Sequence, residues 1–94
     1  MTYTVFDQGQ TRSGTAEQLL AAIHKEAASH NDEIARMSVE QYAQTLIEDA
    51  PYFLDEALLK AMQNQRFDSK FDQALNYLAQ MPTSGIRILT MQAA

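Results

Sequence analysis

Ser38-Val39-Glu40-Gln41 opens the stretch that most limits how this chain can fold. A serine followed three residues later by glutamine is a capping box: the Ser38 hydroxyl accepts from the amide of Gln41, and the Gln41 side chain returns to the amide of Ser38. Val39, Tyr42, Ala43, Leu46, Ile47 and Ala50 then recur with the 3.6-residue period of one helix face. Pro51 has no amide for the carbonyl of Ile47, and its ring crowds that carbonyl, so the helix is expected to end or kink at Asp49 to Ala50. Proline is favoured at the first position of a helix. A further helix is therefore expected from Pro51 to about Asn64, with Asp49 near its positive end and Phe53, Leu54, Ala57, Leu58, Ala61 and Met62 apolar.

The flanking segments have their own signals. Thr2 to Phe6 is β-branched and aromatic and alternates, which reads as a strand; Asp7-Gln8-Gly9 supplies a turn, and Gln10 to Ser13 returns as a polar edge strand through a three-residue hairpin loop with Gly9 in the left-handed region. Thr15-Ala16-Glu17-Gln18 is a second capping box, starting a helix with Ala16, Leu19, Leu20, Ile23 and Ala27 inward that runs to about Ser29 or His30, where Asn31 offers a stop. Asp32 to Met37 is a connector with room for one helical turn carrying Ile34 and Met37 inward. Asp68 is placed to cap a fourth helix with Phe71, Ala74, Leu75 and Leu78 on its apolar side, and Phe67 to staple against that helix's first turn. Pro82-Thr83-Ser84-Gly85 closes it, and Ile86 to Met91 is a β-rich strand whose natural partner is the N-terminal one. The expected class is α+β: a small antiparallel sheet of an N-terminal strand or hairpin plus a C-terminal strand, packed on one face by about four helices.

A chain of 94 residues is one domain, burying roughly 60–65% of the surface that its unfolded form exposes. The absence of cysteine removes disulfides and thiolate metal sites. MTYTVFDQGQ has neither a basic nor an apolar leader region, and no window approaches a membrane-spanning run, so a cytoplasmic location is expected.

Few residues offer catalytic chemistry. Gly9 to Ala16 has the glycine spacing of a phosphate-binding loop, but Thr15 stands where that loop needs lysine and Ala16 where it needs the magnesium-binding hydroxyl, so a hairpin followed by a cap is the better reading. His24 and His30 are six apart and point to different helix faces, unlike the pair of a metal-binding H-E-x-x-H motif. No serine lies in a nucleophile-elbow context. We therefore expect no enzyme, no cofactor and no metal.

Charge is the informative property. The net charge is −5, and between Asp32 and Glu56 seven carboxylates face Arg36 alone, while the remaining five acidic and six basic residues nearly balance. Such a field repels nucleic acid and membrane surfaces and attracts a basic protein surface within roughly 8 Å at physiological salt. Direct DNA binding is disfavoured because the polar helix faces carry acids where phosphate contact needs lysine and arginine. Glu40, Gln44 and Glu48 share one helical ridge at spacing four, and Glu48-Asp49 and Asp55-Glu56 bracket Tyr52 and Phe53. Three readings stand open. Neighbouring acids diverge by about 100° on a helix and form no calcium-loop pattern, which counts against a metal site. A solvated face, with Asp49 at a helix start and Glu56 paired to Lys60, is the second. The third is a protein-binding surface made of Glu40, Glu48, Asp49, Tyr52, Asp55 and Glu56, with Phe53 in the core and Tyr52 as a partly exposed anchor.

A short, acidic, cysteine-free chain with a strand at each end, Tyr3 to Phe6 and Ile86 to Leu89, and acidic helices including Glu48-Asp49 and Asp55-Glu56, resembles the small anti-CRISPR proteins encoded by phages and mobile elements. The resemblance lies in size and charge over the whole chain, and those proteins share no motif from which a functional residue could be transferred. It implies a stoichiometric inhibitor that docks on a type I CRISPR surveillance complex in a bacterial host, mimicking DNA on surfaces meant for it. The alternative is a structural or assembly module of a phage or mobile element, in which an exposed strand edge or apolar helix face pairs with a second copy or a host protein.

Overall fold

The computed structural model describes residues 1–93 as an α+β fold in the order β1 (Thr2–Asp7), β2 (Gln10–Thr15), α1 (Ala16–Ala28), α2 (Asp32–Ala35), α3 (Val39–Phe53), α4 (Glu56–Gln63), α5 (Lys70–Gln80) and β3 (Ile86–Gln92). The sheet is antiparallel with strand order β2-β1-β3, so the chain's two ends are joined through the central β1. Asp7 pairs with Gln10, which leaves a two-residue loop of Gln8 and Gly9, both at positive φ (50° and 85°). That turn matches the twist of the flanking strands, and it replaces the three-residue loop expected from sequence. β2 also runs two residues beyond Ser13, because Gly14 and Thr15 pair with Tyr3 and Thr2.

Alternation along β1 sends Tyr3, Val5 and Asp7 to the helical side and leaves Thr4 half-buried and Phe6 exposed on the other. The core lies between the inner strand residues with Ile86, the Leu19, Leu20 and Ile23 stripe of α1, Tyr42 and Ala43 of α3, and Ala74, Leu75 and Leu78 of α5. A second cluster of Ala50, Leu54, Met62 and Tyr77 holds α4 in place, and Phe67 meets Tyr77 edge to face at 6.2 Å instead of stapling to the first turn of α5. Truncation of a fully buried residue such as Leu20 or Leu75 to alanine carries a cost of about 2–5 kcal/mol at sites of this kind.

Both capping boxes form: Thr15 with Gln18, and Ser38 with Gln41. Asn31 both follows α1 and caps α2, its Oδ1 accepting from Glu33 and Ile34, and Ile34 and Met37 are partly buried against the core. Five helices are therefore present among the described residues, the short α2 being the one beyond the expected four. Ser69, not Asp68, caps α5, its hydroxyl accepting from the amide of Asp72.

The main departure is at Pro51. α3 passes through the proline and ends at Phe53, because only the bond to the Ile47 carbonyl is lost and the Leu54 amide still reaches the Ala50 carbonyl at 3.0 Å. Leu54 and Asp55 are then extended, and α4 starts at Glu56 with Asp55 as its cap. This later start changes which residues face in: Leu54 and Met62 are buried and Leu58 and Leu59 half-buried, whereas Phe53, Ala57 and Ala61 are exposed. Among the described residues no helix is long and apolar enough to cross a membrane.

Candidate functional site

The acidic residues occupy the outer side of α2, α3 and α4. Asp32, Glu33, Glu40, Glu48, Asp55 and Glu56 are exposed, and Asp49 is half-buried. Their individual settings differ. Glu40 is matched within the fold by Lys70, whose Nζ lies 3.2 Å from its Oε1. Glu48 accepts from the Gln44 amide at 3.2 Å, realising the ridge expected at spacing four. Asp55 accepts from the Leu58 amide at 2.7 Å, so one of its oxygens is committed to starting α4. Glu56 follows in the first turn of α4, where a negative charge is favourable, but it makes no ion pair with Lys60.

Asp49 does not stand at a helix start. Because α3 continues to Phe53, Glu48 and Asp49 lie near its carbonyl end, and the last turn of α3 carries no basic residue. Among the described residues neither has an ion-pair partner within 4.0 Å. The negative potential of the helix end is strongest within the last turn, from Ala50 to Phe53, and falls off at Asp49 and Glu48 just before it. Immediately beyond them Tyr52 is 84% exposed and Phe53 55% exposed. Phe53, expected in the core, is thus displaced from it by Leu54, which takes the inward position at 7% exposure. Pro51, Tyr52 and Phe53 together form an exposed aromatic tip bracketed by Glu48 and Asp49 on one side and Asp55 and Glu56 on the other.

The structure also holds polar groups that the sequence pattern did not single out. Asp72 is buried on α5: its carboxylate accepts from the Tyr3 hydroxyl at 2.8 Å and from the Ser69 hydroxyl at 2.6 Å. Asn76 donates to the Asp72 carbonyl at 2.8 Å and to the Tyr3 oxygen at 3.3 Å. Burial, and next the bond to Asp72, push the Tyr3 hydroxyl up to about 12. Burial also raises Tyr42. Ser69-Lys70-Phe71-Asp72 is the serine-x-x-acid pattern of a helix start, and it was the available signal for this pair. Asp7 is buried beside Arg12, which also approaches Glu26 at 3.8 Å. His24 donates from Nε2 to the Ile34 carbonyl at 2.9 Å, tying α1 to α2, and its ring packs on Tyr42 at 5.2 Å. Gly9 and Gly14 belong to the hairpin. Among the described residues no group of three or more histidine, aspartate or glutamate side chains converges so as to hold a metal ion.

Comparison of the chain with protein-family models, with curated proteins and with solved structures finds no match in any of the three.

Proposed function

We propose that this chain is a non-enzymatic, protein-binding inhibitor of the anti-CRISPR kind, acting in the cytoplasm of a bacterial host on a type I CRISPR surveillance complex. The observation that supports it best is the aromatic tip at the end of α3, with Tyr52 84% exposed between carboxylates that have no ion-pair partner among the described residues. An exposed tyrosine ringed by charge is the composition of an interface hot spot rather than of an inert surface. The ring of carboxylates meets lysines and arginines that otherwise hold DNA phosphates, and electrostatic steering speeds the encounter. Glu40 contributes least, being paired to Lys70.

The test is target-DNA binding by purified type I surveillance complexes, read as a gel shift with and without excess protein. The shifted band is expected to disappear, and to return as salt rises. A Glu48→Lys, Asp49→Lys, Tyr52→Ala, Glu56→Gln variant that keeps the Asp55 cap is expected to leave DNA bound. Inhibition retained in full by that variant removes the acidic face from the mechanism, and DNA binding unaffected in every complex tested removes DNA mimicry, leaving block of nuclease recruitment or the assembly reading.

The assembly reading has one observation in its favour. β3 is an edge strand, and it carries Leu89 and Met91 at 52% and 55% exposure. If β3 pairs copies, mass in solution rises with concentration and a Leu89→Lys variant stays monomeric; a wild-type chain monomeric throughout rejects it.

A further inference from the structure

A groove of about 270 Å³ opens beside the aromatic tip, between α2, α3 and the connection from α5 to β3. Ile34, Met37, Leu46, Phe53 and Met81 line it, with Asp49 among them. The volume is below the roughly 300–1,000 Å³ of small-molecule and cofactor sites, which suits one inserted side chain better than a whole ligand. Two of its walls are methionines, whose unbranched, polarisable side chains adapt to the shape that enters. The electrostatics limit what that can be. Asp49 is half-buried and has no cation within 4.0 Å among the described residues, and it stands in the last turns of α3, where the backbone carbonyls add negative potential and no basic residue compensates.

We infer that this groove seats one apolar side chain of a protein partner whose adjacent lysine or arginine pairs with Asp49. The inference rests on the protein-binding reading above and adds the partner's local chemistry: an apolar residue next to a cation, not a basic patch alone. A purely basic surface leaves the groove empty, and a purely apolar one leaves Asp49 desolvated and unpaired, which is the costlier outcome. The exposed Phe53 ring forms one lip and supplies a face for the cation or the apolar group to pack on.

Phenethylammonium and phenylpropionate serve as probes, since they present the same ring with opposite charge. In amide NMR spectra of the isotope-labelled chain, phenethylammonium is expected to shift Met37, Leu46, Asp49, Phe53 and Met81 saturably at millimolar concentration, while phenylpropionate does not. Asp49→Asn should weaken phenethylammonium by about two- to fivefold, the range of a partly exposed ion pair, with the rest of the spectrum unchanged. Equal binding of both probes, binding indifferent to Asp49→Asn, or no saturable shift at these residues overturns the inference. The probes involve no surveillance complex, so a failed groove with DNA blockade intact rejects only the inference. A working groove with no DNA blockade rejects only the choice of target.

Discussion

Asp72 and Asp49 are aspartates on two helices that pack together, α5 and α3, and they sit at opposite electrical ends. Asp72 lies in the first turn of α5, buried, with its carboxylate bonded to Tyr3 and Ser69. Asp49 lies near the end of α3, half-buried, with no cation within reach among the described residues. The helix dipole favours the first and opposes the second. Asp72 joins β1 to a helix 69 positions away along the chain and is spent on holding the fold. Among the described residues no ion pair of the fold uses Asp49. The same side chain is a structural member in one place and, among the described residues, a carboxylate without an ion-pair partner in the other.

The sharpest way to break that comparison is to delete both carboxylates. Asp72→Ala is expected to lower unfolding free energy by about 1–3 kcal/mol, because it leaves the buried Tyr3 hydroxyl without its acceptor. Urea denaturation measures it, and a loss below about 1 kcal/mol would make the two aspartates equivalent. Tyr3→Phe takes only one bond from the same group, so a loss of about 1–2 kcal/mol is expected at neutral pH. It also has a pH signature. In the unfolded chain the Tyr3 hydroxyl ionises near its ordinary value of 10.0, and in the folded chain near 12. The folded state therefore keeps a proton that the unfolded state has released. The resulting stabilisation is complete below pH 10 and disappears as pH rises through 12. Tyrosinate absorbance should show late ionisation of Tyr3, and Tyr3→Phe should remove its share of the alkaline loss of stability.

Asp55 tests the intermediate case, a carboxylate that is exposed and yet structural. Asp55→Ala removes the bond to the Leu58 amide and is expected to cost about 1 kcal/mol, with faster amide exchange concentrated in α4. The smallest effects have the opposite sign. Glu48→Gln and Asp49→Asn, which lie just before the last turn of α3, are each expected to raise stability by no more than about 0.3 kcal/mol in low salt, an increment that shrinks as salt is added. If either variant is less stable than the parent, the carbonyl end of α3 holds a compensation that its ion pairs do not reveal.

Residue order along the chain was enough for the α+β class, the hairpin, both capping boxes, the stripes of α1 and α3, and the pairing of the terminal strands. Each depends on local chemistry, either the period of a single element or a side chain reaching a backbone group three residues away. The acidic stretch between Asp32 and Glu56 was equally legible, since charge is a property of composition. The positions at which Pro51 and Asp55 act were decided by tertiary structure. A proline removes one helical bond and disfavours continuation, but packing of Ala50 and Leu54 on Met62 and Tyr77 carries α3 past it. That extension moves Asp49 from a favourable helix start to an unfavourable helix end and turns Phe53 outward. It also leaves the groove open beside them. The Tyr3–Asp72 bond belongs to the same class, because nothing within either segment indicates that residues so far apart meet. Local propensity is additive along the chain, whereas burial and pairing depend on which surfaces the whole fold brings together.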